Sequence, residues 1–132
     1  MSPMKLAAAS AALLLMPAGA HAHHSFAAFF DGGQSIKLTG KVTAFRFTNP
    51  HGIIAFDVTG PDGQVKHWAA ETNSPAVLMR RGWTRNSIKP GDTVTVDGWP
   101  SRDGKPYLRL RQAMDAGGKP IGQGVFGQAD DK

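Results

Sequence analysis

No cysteine occurs anywhere in the chain. That excludes disulfide frameworks, thiolate zinc sites, cysteine nucleophiles and iron–sulfur clusters. Nor is there a long apolar run. The longest, LAAASAALLLM at residues 6–16, has 11 residues, where a membrane-spanning helix needs about 20. No glycine-rich phosphate loop and no G-x-S-x-G nucleophile elbow is present. A hydrolytic set drawn from Ser25, His51 and Asp57 therefore lacks the framing such chemistry uses, and the chain reads as a non-enzyme. Charge is sparse and slightly one-sided, with 15 Lys and Arg against 10 Asp and Glu in 132 residues. An excess of this size favours anionic surfaces without requiring nucleic acid.

What is present begins with a leader. MSPMK is a short positive start, the apolar run follows, Pro17 breaks it, and small residues come next. This is the pattern of a secretory signal peptide over residues 1–22, and it places the remainder in the periplasm or outside the cell. An uncleaved anchoring helix is the alternative. Two cuts fit the small-x-small rule, one after Ala20 and one after Ala22. Once Lys5 is removed with the leader, the formal charge of +5 falls to about +4.

After a short N-terminal arm, residues 23–35, the periodicity is that of strands. IKLTGKVTAFRF alternates and carries Gly40 in its middle, a mark of a bulge or sharp bend. Thr48-Asn49-Pro50-His51-Gly52 is a loop. Residues 53–59 and 64–70 form a hairpin about the turn Gly60-Pro61-Asp62-Gly63. Ser74 and Pro75 open a helix of about two turns that Gly82 closes. Residues 93–99 and 106–114 are the last two strands, the latter with Leu108 and Leu110 on one face and Arg109 and Arg111 on the other. The fold class is all-β with one short helix. Five strands with a helix between the third and fourth is the order of a five-stranded OB-like barrel, here over residues 36–115. A small β-sandwich is the alternative. Residues 116–132, rich in glycine and polar side chains, read as a flexible tail.

Several stretches resemble a known family in order: HHSF at 23–26, LTGKV at 38–42, TNPH at 48–51, W-x-x-E at Trp68 to Glu71, RRGWTRNS at 80–87 and KPGD at 89–92. Together they resemble the small exported bacterial proteins grouped as domain of unknown function 6152. The resemblance implies an exported protein with HHS near its mature start and an NPH loop, and it implies no activity.

The histidines are the best candidate ligands, since imidazole suits Cu(II), Zn and Ni. A cut after Ala22 lets His23 offer both its amine and its ring to one metal. His51, in a loop stiffened by Pro50, is the natural third nitrogen for Cu(II), with His24 as an alternative ligand and Glu71 as a possible oxygen. A cut after Ala20 instead makes His23 third in the chain, which gives a fold-independent square-planar site. The plain reading of His51 is a turn residue, and that of His67 a surface or packing residue.

The second candidate surface is Arg80, Arg81, Trp83 and Arg85, which suits an envelope protein, a glycan or an anionic lipid. The same residues also fit simpler roles. Arg80 and Arg81 complement the helix dipole, and Trp83 is a core or lid residue. An OB barrel with basic and aromatic residues on its face has the shape of a single-strand nucleic-acid binder. Export argues against that substrate, and the expectation is no nucleic-acid partner.

Overall fold

The computed structural model describes residues 26–129, so the leader, His23 and His24 lie outside the described residues. The order of elements is α1 (Phe26–Phe29), β1 (Ile36–Arg46), β2 (Ile53–Thr59), β3 (Val65–Glu71), α2 (Pro75–Arg80), β4 (Thr93–Pro100) and β5 (Tyr107–Met114). The strands close into a barrel in the order β1-β2-β3-β5-β4. All pairs are antiparallel except β3 with β5, which run parallel over Ala69–Glu71 and Tyr107–Arg109. This is the expected OB-like barrel.

The first strand has to serve two neighbours, and its sequence explains how. Ile36 to Lys41 pair with β4, and Lys41 to Arg46 pair with β2. Gly40 stands at the changeover, where a Cβ would lie 2.4 Å from the Asp57 carbonyl oxygen. Only a residue without a side chain lets the two backbones approach so closely. Inward residues then fill the barrel in alternation: Ile54 and Phe56 from β2, Val94 and Val96 from β4, Leu108 and Leu110 from β5.

Helix α2 plugs one part of the core through Val77 and Leu78. It starts as its sequence dictates. Ser74 is extended, its Oγ accepts from the Val77 amide at 3.4 Å, and Pro75 occupies the first turn. It ends at Gly82, whose φ of +81° is left-handed and suits glycine.

Two expectations need correction. Residues 116–132 were expected to form a flexible tail, yet the described part of this segment is seated on the barrel. The Ile121 amide donates to the Ala113 carbonyl at 2.9 Å, the Gln123 amide to Arg81 at 2.7 Å and the Phe126 amide to Arg111 at 2.8 Å. Phe126 is only 2% exposed and its ring lies against Trp83. Glycine-rich composition argues against regular structure, but one aromatic anchor and three backbone bonds fix an irregular segment. The second correction concerns Arg109, expected to face outward with Arg111. It is 4% exposed, because the parallel β3–β5 pairing sets an acidic partner beside it.

Candidate functional site

Backbone pairing assembles the site. Glu71 closes β3 directly opposite Arg109 of β5. Tyr107 lies two residues before Arg109, hence on the same face of the strand. Arg109 Nη1 donates to Glu71 Oε1 at 2.8 Å, and the Tyr107 hydroxyl donates to Glu71 Oε2. Both carboxylate oxygens are thus engaged, and the buried guanidinium has the partner that burial demands. Burial, and then the bond to Glu71, push the Tyr107 hydroxyl above the ordinary tyrosine range, so it stays protonated.

His51 reaches the same place from the Asn49-Pro50-His51-Gly52 loop, in which the Asn49–Pro50 bond is cis. Gly52 permits the approach. Its amide donates to Asn73, its carbonyl accepts from Thr72, and a Cβ on it would meet Thr72 Oγ1 at 2.5 Å. The loop therefore lies flat against residues 72–73. His51 Nδ1 is 3.1 Å from the Thr72 carbonyl oxygen and 3.3 Å from Arg109 Nη1. A carbonyl only accepts and a guanidinium only donates, so Nδ1 serves one of them at a time. Nε2 is 3.9 Å from Glu71 Oε1, beyond hydrogen-bonding distance.

These residues form the polar floor of a cavity of about 630 Å³. Its apolar wall is aromatic and comes from the N-terminal arm. Phe26 meets Trp99 edge-on and Phe30 stacks on Tyr107 with centroids 5.9 Å apart. The arm is further held by Arg102, whose amide donates to the Phe29 carbonyl and whose Nε donates to the Ala27 carbonyl. Phe29 is left 55% exposed.

The sequence-predicted residues fall into two groups. His51 and Glu71 come together in the cavity. Among the described residues no three His, Asp or Glu side chains are grouped to hold a metal ion. His67 instead pairs with Asp57 at 2.6 Å on an exposed part of β3, so Asp57 is not a partner of His51. Trp83, read either as part of a partner surface or as a core or lid residue, is 2% exposed and belongs to the core. Arg81 lies over the Phe126 ring and Arg85 over Phe47, while Arg80 projects from the end of α2. Tyr107 and Arg109 escaped sequence reading as site residues. Their spacing of two along a strand was a signal, but the neighbour that gives it meaning is more than thirty residues away.

The family model described as "Family of unknown function (DUF6152)" matches residues 11–108. The chain belongs to this family. No curated protein matches it. Among solved structures, this chain is similar to the small single-stranded DNA-binding protein of Streptomyces coelicolor, with 19% identity and a TM-score of 0.46 over 62% of this chain and 90% of that one. It is also similar to Rim1, a mitochondrial single-stranded DNA-binding protein of S. cerevisiae, with 12% identity and a TM-score of 0.47 over 63% of this chain and 92% of that one. These likenesses concern the fold alone. The expectation of no nucleic-acid partner is withdrawn, because these neighbours are single-stranded DNA-binding proteins.

Proposed function

We propose that this protein is an exported, non-enzymatic barrel that binds one Cu(II) ion at the cavity, through His51 and the N-terminal histidines His23 and His24. The observation that carries the reading is the setting of His51. Metal-ligating histidines usually donate their second N–H to a carbonyl or carboxylate, which fixes the ring. The Thr72 carbonyl, 3.1 Å from Nδ1, is such an acceptor, and that tautomer leaves the Nε2 lone pair free for a metal. Chain geometry supports the rest. Phe26 lines the same cavity as His51, and His23 precedes it by three residues, a reach of at most about 11 Å. A set of nitrogens without sulfur suits Cu(II). The leader over residues 1–22 supports a periplasmic or secreted location.

Native mass spectrometry of protein recovered from the periplasm tests this. A chain beginning at His23 should hold one Cu(II), and His51→Ala should lose it while keeping the circular dichroism of a folded barrel. Full retention of copper by a folded His51→Ala protein would sink the reading.

A metal-free module gripping an anionic envelope partner is a second reading. It is supported by Arg81 and Arg85, whose guanidinium groups are held over aromatic rings and are thereby pre-positioned. Neutralising Arg80, Arg81 and Arg85 together should abolish retention on anionic vesicles; unchanged retention counts against it.

A further inference from the structure

We infer that the cavity also takes a small uncharged aromatic molecule carrying a hydroxyl, a phenol in chemical class. Size comes first. A cavity of about 630 Å³ lies within the range of roughly 300–1,000 Å³ typical of small-molecule sites and accommodates one or two rings. The wall comes next. Phe26, Phe29, Phe30, Pro106 and Tyr107 line it, and Phe29 stays 55% exposed although its neighbour Phe30 is buried. Aromatic rings offer faces and edges to another ring, and such pairs stabilise beyond the area they bury.

Charge then decides what the ligand does not carry. Arg109 is neutralised by Glu71 at 2.8 Å, and Lys105 Nζ lies 3.4 Å from Asp103 Oδ2. The four formal charges around the cavity cancel. A carboxylate or ammonium entering it would be desolvated without a spare counter-charge, which is costly.

The polar floor decides what the ligand does carry. Glu71 accepts at both oxygens, from Arg109 and from Tyr107. His51 Nδ1 serves either Thr72 or Arg109, so Nε2 is a lone pair in the first case and an N–H in the second. A carbonyl or ether suits only the N–H, and an ammonium or an indole-type N–H suits only the lone pair. A hydroxyl both donates and accepts, and so satisfies Nε2 in either tautomer.

This inference stands apart from the copper reading, although the two meet at one atom: an ion on Nε2 displaces the hydroxyl from it. Amide NMR titrations of the full chain, kept metal-free with a chelator, test it with three probes of one shape: naphthol, naphthalene and naphthoate. Naphthol should bind with shifts centred on Phe30, His51, Gly52 and Tyr107. Naphthalene should bind about tenfold more weakly, the loss expected for one buried hydrogen bond, and naphthoate more weakly still. Phe29→Ala, at an exposed position, should weaken naphthol at least about fivefold with an unchanged unfolding midpoint and unchanged copper uptake. His51→Ala should bring naphthol down to the level of naphthalene. Equal binding of naphthol and naphthalene, tightest binding of naphthoate, shifts centred elsewhere, or no shifts up to the probes' solubility would each overturn it. Naphthol binding in a protein that takes no copper would leave this inference standing and remove the metal reading; copper uptake without naphthol binding would do the reverse.

Discussion

Arginines and aromatic rings meet in two regions of this barrel, with opposite results. Around α2 and the C-terminal segment the rings are covered. Trp83 and Phe126 are each 2% exposed, and Arg81 lies over Phe126 as a lid. Around the N-terminal arm the arginine is buried instead. Arg109 lies on the floor with Glu71, and the phenylalanines stand over it with space between. The difference lies in which partner is taken into the interior. Where the rings go in, the guanidinium stays in water and lends its stem and face to packing. Where the guanidinium goes in, it needs a carboxylate, the pair needs polar neighbours, and the rings cannot close tightly over the group. One composition thus yields a sealed corner and an open chamber.

Substitutions sharpen that contrast. The largest effect should come from the sealed corner. Phe126→Ala should cost about 3–5 kcal/mol, as expected for truncating a buried aromatic residue, read as a lower urea midpoint. A cost below about 1 kcal/mol would mean that the C-terminal segment is dispensable and that the corner is not sealed by it. The chamber should respond to Arg109→Ala with a loss of about 2–3 kcal/mol, smaller than for a fully buried pair because Glu71 keeps partial access to water. Adding Glu71→Gln to that variant should recover part of the loss, since the orphaned carboxylate is then neutral; no recovery would break the claim that the pair acts as a unit.

The smallest effect concerns Tyr107, the sole tyrosine of the chain. Its hydroxyl titrates above the ordinary value of 10.0 in the folded protein. The unfolded chain releases the proton near pH 10, the folded protein later. The folded state therefore holds more protons in this window, and stability present below pH 10 is lost as pH rises through it. Tyrosinate absorbance at pH 10.5, about half a unit past the unperturbed value, should be nearly absent in buffer and strong in urea. Tyr107→Phe should remove this contribution to the pH dependence and cost about 1 kcal/mol at neutral pH, the worth of one hydrogen bond. Equal absorbance in buffer and urea would show that Tyr107 is not held by Glu71.

Local signals in the sequence were strong enough for the architecture. Alternation delimited the strands to within a residue or so, Gly40 marked the bend in β1, and the run from Ser74 to Gly82 carried both ends of α2. The site was legible only in part. His51 and Glu71 stood out by residue type. Glu71 and Arg109, however, become neighbours through the one parallel pairing in the barrel, and parallel partners are distant in sequence with no turn between them to announce the register. The seat of Phe126 was hidden for a related reason. Gly122 approaches Trp83 so closely that a Cβ would stand 2.2 Å from the indole nitrogen, and the glycines that suggested looseness are what let the segment lie flat.

The parallel seam has a consequence for how such a chain comes into being. β5 bridges β3 to β4, and Leu108, Leu110 and then Phe126 arrive late along the chain to complete a core begun by Val42 and Ile54. A nascent polypeptide cannot shut the barrel while those residues are still inside the ribosome, because contacts between distant segments must wait for both to be free. Until then Ile54, Phe56 and Ala70 have no roof. A barrel joined at its seam by a late strand stays open until that strand is free to pair.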